Sequence, residues 1–382
     1  MIKKVLPLLW IITGASLLLY SFTQVDLSLT LSQVSIWQGI QKFFQYIGYF
    51  NRPLSTYIFL VIVASMFALY GLTLRLVHKN LIERKTVLKI VISLAVILFL
   101  AYNAFSYDLF NYIFDAKILA HYGQNPYEHK ALDYSGDPML SFMHWTHRVY
   151  PYGPIWLLIT VPIYFIGFGY FLVTFYLFKL LMALSFIGSA LLIEKIAKKT
   201  GVNPMLAVAA FALNPLVLIE SLVSAHNDIV MIVFALLALL MYLEKKYIKS
   251  LLFIVISIAI KYATALIIPA ILIREKFKKN PDVFYYALIL SMGATVVLAS
   301  SRTNFQPWYL LYMLPFAAFV QNKYFVAIPV FIVSFFALMQ YVPYLYLGNW
   351  NPPVPQILSY LLYGSLIGSV ILVFAWKVLK RN

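Results

Sequence analysis

The sequence predicts an all-α protein that crosses a membrane many times, and both its composition and the placement of its charges support this. Hydrophobic residues fill 63% of the 382 positions, charged residues fill 11%, and the mean hydropathy is +0.86. A soluble domain is about half apolar and about a quarter charged, so this chain has too few polar residues to cover a particle folded in water. The charged residues also lie in short clusters between long apolar runs, which is typical of loops that connect membrane-spanning helices.

Ten apolar runs approach the roughly 20 residues that a helix needs to cross a bilayer. We predict ten to twelve transmembrane helices in a single integral membrane domain, residues 1–382. For the first run a cleavable signal peptide is the alternative, but the run is long and no clear small-x-small cleavage site ends it. The runs are 5–22, 54–77, 86–104, 170–193, 204–222, 229–243, 282–300, 307–321, 324–342 and 356–377.

Two further apolar segments do not fit a simple succession of spans. Segment 154–168 is short and contains Pro162, which favours a partial or re-entrant helix. A full crossing by segment 250–273 would move the next basic cluster to the wrong side, so we expect a hairpin of two short helices with Lys261 near its outer tip. Broken helices at membrane depth are tolerated where they line a water-filled cavity.

The basic residues predict the orientation of the chain, because loops rich in Lys and Arg stay in the cytoplasm. This rule places both termini of a cell-membrane protein in the cytoplasm and the longest loop, 105–153, outside. The net charge of +16 does not indicate nucleic-acid binding, since the charges form no contiguous basic face. The basic clusters are Lys3 and Lys4; Arg75, Lys79, Arg84, Lys85 and Lys89; Lys195, Lys198 and Lys199; Lys245, Lys246 and Lys249; Arg274, Lys276, Lys278 and Lys279; Lys323; and Lys377, Lys380 and Arg381.

The external loop begins with a predicted helix that carries two carboxylates. Apolar residues at 109, 110, 113, 114 and 118 form one face of this helix, which suits a helix lying in the membrane interface. Asp108 and Asp115 are seven positions apart, so both carboxylates can lie on one side of it. The structural alternatives are an N-cap role for Asp108 and pairing of Asp115 with Lys117 or with a lipid-proximal amide.

Several short motifs in and after this loop resemble those of one class of membrane enzymes. The loop contains Ser106-Tyr107-Asp108-Leu109-Phe110-Asn111-Tyr112, then Tyr122-Gly123-Gln124-Asn125-Pro126-Tyr127 and Tyr152-Gly153-Pro154. Further along come His226-Asn227-Asp228, Lys261 ahead of Pro269, and Gln306-Pro307-Trp308-Tyr309. Together, over about residues 100–320, they resemble bacterial GT-C glycosyltransferases, in particular the polyprenyl-phosphate-mannose-dependent α-mannosyltransferases. The resemblance implies a GT-C-like core at about 86–342 with an outer catalytic loop at 105–153.

The resemblance also implies a reaction. A sugar, mannose in that family, moves with inversion from a polyprenyl-phosphate donor to a glycan or glycolipid acceptor at the external membrane face. The Asp at the start of the first outer loop is the family's proposed general base, and Asp108 occupies that position. We expect partial desolvation beside the membrane to raise the pKa of Asp108 toward the working pH. A metal site is the alternative at His226-Asn227-Asp228, since His and carboxylate are suitable ligands, but the family is thought to work without a metal ion, so we predict no metal and no cofactor.

The remaining candidate residues are cations, and polar or aromatic side chains near the outer helix ends. A lysine at membrane depth costs about 2.5–3.5 kcal/mol on insertion scales, so Lys261 is a functional candidate by default. We predict that Lys261 and Arg302 bind the donor phosphate; snorkelling and plain solvation are the alternatives. Other residues are predicted to contact sugar or acceptor, or to orient the base. The alternatives for them are helix caps, core hydrogen bonds or positions in the interfacial aromatic belt. These residues are Asp115, His226, Asp228, Gln306, Trp308 and Tyr309.

Two other functions stay open at this point. A transporter or lipid flippase also explains a buried lysine in a broken helix, but it predicts internal repeats and polar residues leading to both faces. A polymerase or ligase of lipid-linked glycans shares the external chemistry. No phosphate-binding loop, nucleotide fingerprint or HExxH motif is present, and the inner loops are too short for a nucleotide-binding domain, which favours a lipid-phosphate donor. The chain has no cysteine, so it forms no disulfide and no thiolate metal site.

Overall fold

The fold is that of a computed structural model, which describes residues 2–276 and 281–380. Within these residues the chain is helical and contains no β-strand, which confirms the all-α polytopic membrane class. The α-helices of the described residues are α1 (Ile2–Ser21), α2 (Ser35–Gln45), α3 (Arg52–His78), α4 (Arg84–Phe99), α5 (Asp108–Ala120), α6 (Pro154–Ile166), α7 (Phe171–Thr200), α8 (Pro204–Ala212), α9 (Pro215–Leu218), α10 (Asp228–Leu243), α11 (Tyr247–Ile260), α12 (Ile267–Lys276), α13 (Pro281–Thr303), α14 (Leu314–Ala317), α15 (Tyr324–Met339), α16 (Val342–Leu347) and α17 (Val354–Leu379).

Six helical segments of the described chain are long and apolar enough to cross a membrane, and a bent pair of shorter helices makes a seventh if it acts as one. The expected ten to twelve spans are reached only if some shorter apolar helices cross as well, so that number stays a prediction. The six segments are Val5–Gln24, Arg52–His78, Phe171–Thr200, Asp282–Thr303, Tyr324–Leu347 and Val354–Leu379; the shorter apolar helices are Pro154–Ile166, Asp228–Leu243, Tyr247–Ile260 and Tyr262–Arg274.

Two predicted spans are not straight helices. The run 204–222 is divided between α8 and α9, and its two halves meet at 57°. The residue before a proline avoids the helical conformation, and Asn214 starts the second half by accepting a hydrogen bond from the Leu216 N–H at 3.0 Å. Hydropathy averaged over the run does not detect the bend that this Asn-Pro pair causes. The run 307–321 is likewise interrupted, by 3-10 turns on both sides of α14.

The two segments that did not fit a simple succession of spans are both broken or short, as predicted. α6 has 13 residues with Pro162 inside it. Segment 250–273 is divided at Lys261, whose backbone is extended with φ −152° and ψ 124°, and a 3-10 turn at Tyr262–Leu266 follows. α12 then packs against α13. The hairpin, and the position of Lys261 at its outer tip, remain predictions.

α5 is the helix predicted to lie in the membrane interface, but protein covers its apolar face. Leu109, Phe110 and Ile113 are at most 1% exposed. The Phe110 ring lies 5.1 Å from that of Phe142 in the following loop and 6.1 Å from that of Phe171 in α7. The apolar face therefore does not contact lipid, because the loop after α5 folds back over it and supplies the apolar partners.

α4 and α7 run antiparallel and define the two ends of the bundle. Arg84 at the start of α4 pairs with Glu194 near the end of α7, with Nε and Oε1 2.7 Å apart. At the opposite end, the rings of Phe99 and Tyr176 have centroids 5.6 Å apart. We call the end with Arg84 and Glu194 the basic end, and the end with Phe99 and Tyr176 the site end. Lys278, Lys279 and Arg381, which belong to predicted basic clusters, lie outside the described residues.

Candidate active site

Asp108 is the first residue of α5, at the site end of the bundle. Tyr107, not Asp108, is the N-cap residue of this helix, so the predicted capping alternative is wrong. The Asp108 N–H donates to Ser106 Oγ at 3.1 Å, which fixes the backbone at the start of the helix. The Asp108 carboxylate instead points toward His226, with Oδ2 3.5 Å from Nδ1, and the side chain is 19% exposed. A group inside the protein and a ligand outside can therefore both reach this carboxylate.

The turn after the bent helix pair presents His226. α9 continues into a π-helical turn, Ile219–Val223, and two residues later Ala225 adopts a left-handed conformation with φ +59°. This conformation is uncommon for a residue with a side chain, and such strain tends to be stored at functional sites. The His226 N–H then donates to the Glu220 carbonyl at 3.0 Å, which closes the turn.

His226 lies between two carboxylates and is itself fully buried. Its Nε2 is 3.3 Å from Glu220 Oε2, on the side opposite to Asp108. The other carboxylate oxygen of Glu220 accepts a hydrogen bond from the Tyr341 hydroxyl at 2.8 Å. Asp108 is thus the exposed end of a row of charged and polar groups that runs into the protein.

The two titrating groups at the exposed end of this row shift each other's pKa. Burial on its own would lower the pKa of His226, but the carboxylates of Asp108 and Glu220 raise it to about 9, so the imidazole is protonated at neutral pH. Burial on its own would raise the pKa of Asp108, but His226 lowers it, with smaller contributions from Lys261 and Arg148. The expected upward shift for Asp108 is therefore wrong, because the surrounding cations outweigh desolvation.

A buried lysine supports the turn that carries His226. Lys179 lies in the middle of α7 and is 1% exposed. Its Nζ donates to the carbonyl of Leu222 and, at 3.1 Å, to that of Val223. Carbonyls at the end of a helix lack partners within the helix and carry the negative end of its dipole. Lys179 thus satisfies the carbonyls of the turn just ahead of His226.

Asp228 forms the second ion pair of the site, with Lys261. The Lys261 Nζ donates to both carboxylate oxygens, at 2.8 Å to Oδ1 and 3.0 Å to Oδ2. Asp228 is fully buried and the Lys261 side chain is 20% exposed. The Nζ also lies 5.8 Å from the ring centres of Tyr152 and Tyr312. An ammonium group has three N–H donors, so one remains for another acceptor.

The structure brings only some of the other predicted contact residues to this site. The ring of Trp308 stacks on that of His226, with centroids 4.2 Å apart. Gln306 immediately precedes the 3-10 turn that carries Trp308. Tyr309 is buried, and its hydroxyl lies 2.7 Å from Thr303 Oγ1 in a hydrogen bond. Arg302 is exposed in the last turn of α13, next to Thr303.

Asp115 follows Asp108 on α5. Burial, and secondly the charge of Asp108, raise the pKa of Asp115 well above its usual value. This influence of Asp108 agrees with the expectation that the two carboxylates lie on one side of the helix. Lys117 forms its ion pair with Asp137, so the predicted pairing with Asp115 is wrong.

Several residues of the site had no role in the sequence-based prediction. Glu220 and Tyr341 extend the row behind His226, and the exposed Arg148, which stacks on Trp145 at 4.5 Å, lowers the pKa of Asp108. A carboxylate inside the apolar run 204–222 is a signal that could have singled out Glu220. No group of three His, Asp or Glu side chains in the described part of the chain is placed to hold a metal ion.

Comparison with known proteins identifies the family. A family model described as alpha-(1->6)-mannopyranosyltransferase, N-terminal domain, matches residues 14–274. The chain belongs to this family. The alpha-(1->6)-mannopyranosyltransferase A of Corynebacterium glutamicum is 26% identical over 165 residues, which are 43% of this chain and 34% of the relative. The match thus spans about a third of that relative, and no solved structure matches the chain.

The region that matches the family contains the centre of the site. Asp108, His226 and the Lys261–Asp228 pair all lie within residues 14–274. The match confirms the resemblance that the short motifs suggested, and it begins in α1, well before the first of those motifs. Arg302 and the motif Gln306–Tyr309 lie beyond it, so the family match says nothing of these residues.

Proposed function

We propose that the protein is an inverting mannosyltransferase that moves mannose from a polyprenyl-phosphate donor to a hydroxyl of a glycan or glycolipid acceptor. The observation that carries the proposal is Asp108, a partly exposed carboxylate at the start of a loop helix, held beside a protonated histidine. Membership of a mannopyranosyltransferase family supports the sugar and the reaction class.

In this reaction Asp108 accepts the proton of the attacking hydroxyl. The acceptor oxygen forms its bond to the anomeric carbon while the bond from that carbon to the phosphate oxygen breaks. The bonding electron pair leaves with the polyprenyl phosphate, and the proton goes to an Asp108 carboxylate oxygen. His226 keeps Asp108 ionised, which is the form that accepts a proton. Because a carboxylate of low pKa is a weak base, proton transfer comes late, when the acceptor oxygen already carries positive charge.

The cations of the site hold the donor phosphate in this proposal. Lys261 has one N–H that Asp228 does not use, and its Nζ lies 5.8 Å from the ring centres of Tyr152 and Tyr312. Arg302, exposed at the end of α13, supplies a planar donor fork suited to phosphate. His226, Asp228, Asp115, Gln306, Trp308 and Tyr309 form or support the sugar and acceptor sites, with Tyr309 acting through its hydrogen bond to Thr303.

The reaction takes place at the external face of the cell membrane. Two predicted cytoplasmic clusters meet at the basic end of the bundle, where Arg84 and Lys198 both contact Glu194. Since basic loops stay in the cytoplasm, the site end faces outward. A donor at that face carries its sugar on a lipid phosphate rather than on a cytoplasmic nucleotide.

The test is mannose transfer from labelled polyprenyl-phosphate-mannose in membranes that contain the protein. Replacing Asp108→Asn keeps the size of the side chain but removes the proton acceptor. We expect the rate to fall by about 10²–10⁴-fold, the usual contribution of a general base. The matched control is Glu128→Gln, the same change at an exposed residue of the same loop, whose carboxylate contacts Asn125; this variant keeps the full rate.

The outcomes separate the parts of the proposal. Full transfer by the Asp108→Asn variant at equal expression would remove Asp108 as the base, and Asp228 would be tested next. A similar loss in the Glu128→Gln variant would mean that the loop responds to any change of charge. Absence of donor-dependent transfer with the unmodified protein would overturn the donor assignment.

A further inference from the structure

α2 has three different faces. It lies between the two membrane-spanning helices α1 and α3, and its 11 residues are too few to cross a bilayer. One face contacts protein, a second is polar and exposed, and a third is apolar and exposed. An exposed apolar face is unfavourable in water, so this face of α2 is expected to contact lipid or another protein.

The face that contacts protein is polar. Gln41 accepts a hydrogen bond from the Leu31 N–H at 3.1 Å and donates to the Leu29 carbonyl at 2.6 Å. One turn later, Gln45 donates to the carbonyls of Val25 at 3.3 Å and Asp26 at 3.0 Å. The two glutamines thus hold the backbone of segment 25–31 and fix the rotation of α2 about its own axis.

The apolar face points away from these contacts. Ile36, Trp37, Ile40 and Phe43 follow helical spacing along one stripe, and they are 71%, 59%, 41% and 62% exposed. Lys42 is also exposed but lies about 100° around the helix from Phe43. The exposed surface of α2 is therefore divided between an apolar stripe and a polar one.

The turn and the helix that follow α2 in the chain indicate that lipid covers the apolar stripe. The chain passes from α2 through a π-helical turn, Tyr46–Phe50, and only Asn51 separates this turn from α3. Tyr46 and Phe50 in the turn and Tyr57 in the first turns of α3 are exposed as well. Along the chain, the stripe is therefore followed by further exposed aromatic side chains that lead into the first turns of a membrane-spanning helix. Tryptophan and tyrosine are enriched where such helices enter the bilayer.

We propose that α2 lies on the membrane surface at the site end, with Ile36, Trp37, Ile40 and Phe43 inserted at the boundary between headgroups and acyl chains. The partner is the lipid leaflet. Lys42 stays in water on the adjacent stripe, as expected for an interfacial amphipathic helix.

This contact with lipid has a consequence for Asp108, which rests on the proposed function. The segment that α2 holds contains Asp26, whose Oδ2 accepts a hydrogen bond from the Tyr107 hydroxyl at 3.4 Å. Tyr107 directly precedes Asp108. The lipid surface thus sets the height of the catalytic carboxylate above the membrane, at the level where a lipid-linked phosphate lies.

Spin labels test the contact directly, because the chain has no cysteine and single cysteines can be introduced. The protein is reconstituted in phosphatidylcholine–phosphatidylglycerol vesicles and labelled in the Phe43→Cys or the Lys42→Cys variant. We expect the label at position 43 to collide with oxygen, which concentrates in lipid, and to be protected from a water-soluble nickel chelate. The label at position 42 shows the reverse pattern. Equal access of the chelate to both labels would overturn the proposal, and so would protection of position 43 from both reagents, which indicates a protein partner.

Transfer kinetics test the consequence for Asp108. The Ile36→Ser/Phe43→Ser variant should raise the apparent KM for polyprenyl-phosphate-mannose in vesicles several-fold and change kcat less, while Lys42→Ser changes neither. Unchanged KM despite lipid-exposed labels would show that α2 does not set the height of the site. Absence of transfer with the unmodified protein would instead count against the proposed function, and the label result would still decide whether α2 contacts lipid.

Discussion

The two ends of the bundle both contain ion pairs, but the buried carboxylates Glu194 and Asp228 differ in the number of cations that contact them. At the basic end, the Glu194 side chain is 4% exposed and contacts two cations, Arg84 at 2.7 Å and Lys198 at 2.5 Å. Both cations are more than half exposed. At the site end, the fully buried Asp228 has one cation partner among the described ion pairs, Lys261, which is itself mostly buried.

Under the proposed function, this difference separates charges that fix the orientation of the chain from charges that serve chemistry. At the basic end both cations remain hydrated. Because Glu194 has two of them, loss of either one leaves it paired with the other. At the site end Asp228 and Lys261 are largely removed from water, and Asp228 depends on Lys261 for its cation, which is costly to maintain. Desolvated charges with shifted pKa values, such as those of Asp108 and His226, concentrate at functional sites.

The largest effect on stability is expected from removing Lys261, the one cation that pairs with Asp228 among the described ion pairs. Lys261→Met leaves a buried carboxylate without a cation, which destabilises proteins by about 3–5 kcal/mol when a buried pair is broken from one side. The expected result is a large fall in the melting temperature of the detergent-solubilised protein. Lys261→Met/Asp228→Asn removes both charges and should recover most of the loss.

The comparison between the ends supplies the control for this prediction. Lys198→Met removes a cation from Glu194 but leaves Arg84, which binds both carboxylate oxygens through Nε and Nη2 at 2.7 and 3.0 Å. We therefore expect a much smaller fall in melting temperature. Equal falls for Lys261→Met and Lys198→Met would show that partner number does not distinguish the two ends.

An intermediate effect on the melting temperature is expected from a change of pH, because His226 titrates. Its pKa is about 9 in the folded protein and about 6.5 when unperturbed. A folded-state pKa above the unfolded value means that protonation favours the folded state. This contribution is fully present below pH 6.5 and is lost as the pH rises through 9, so the melting temperature should fall over that window.

His226→Gln provides the control for the pH prediction. Glutamine cannot be protonated, so the part of the pH dependence that His226 contributes should disappear in this variant. The Glu194 pair at the basic end involves no histidine, so Lys198→Met should retain the full dependence. A profile for His226→Gln that matches the unmodified protein between pH 6.5 and 9 would show that His226 is not the titrating group.

The sequence predicted the fold class and several members of the site, but not their connections. Residues 108, 226 and 228 stood out through short motifs that resemble those of a mannosyltransferase family, and Lys261 also because a lysine inside an apolar run is unusual. Which of them pair depends on packing between segments more than 30 residues apart, as in Lys261 with Asp228. Periodicity within one helix contains no information about such distances.

Two of the expectations that failed show why the sequence did not suffice. The bend between α8 and α9 arises from one Asn-Pro pair, whose local effect an average over about 20 residues hides. The pKa of Asp108 was expected to rise because desolvation acts in that direction, and burial does raise it. The sign of the net shift depends on His226, Lys261 and Arg148, which only the folded chain places near Asp108.

The smallest effect on the melting temperature is expected from breaking an exposed ion pair at the basic end, Lys3 with Glu83. Lys3 and Glu83 lie 2.7 Å apart, but their side chains are 55% and 72% exposed. Water and salt screen such a pair, and holding two long side chains together costs conformational entropy. Lys3→Gln should therefore leave the melting temperature unchanged within error, at low and at high salt. A salt-dependent fall as large as that of Lys198→Met would mean that the exposed pairs also hold the basic end together, and exposure would then not separate the two ends.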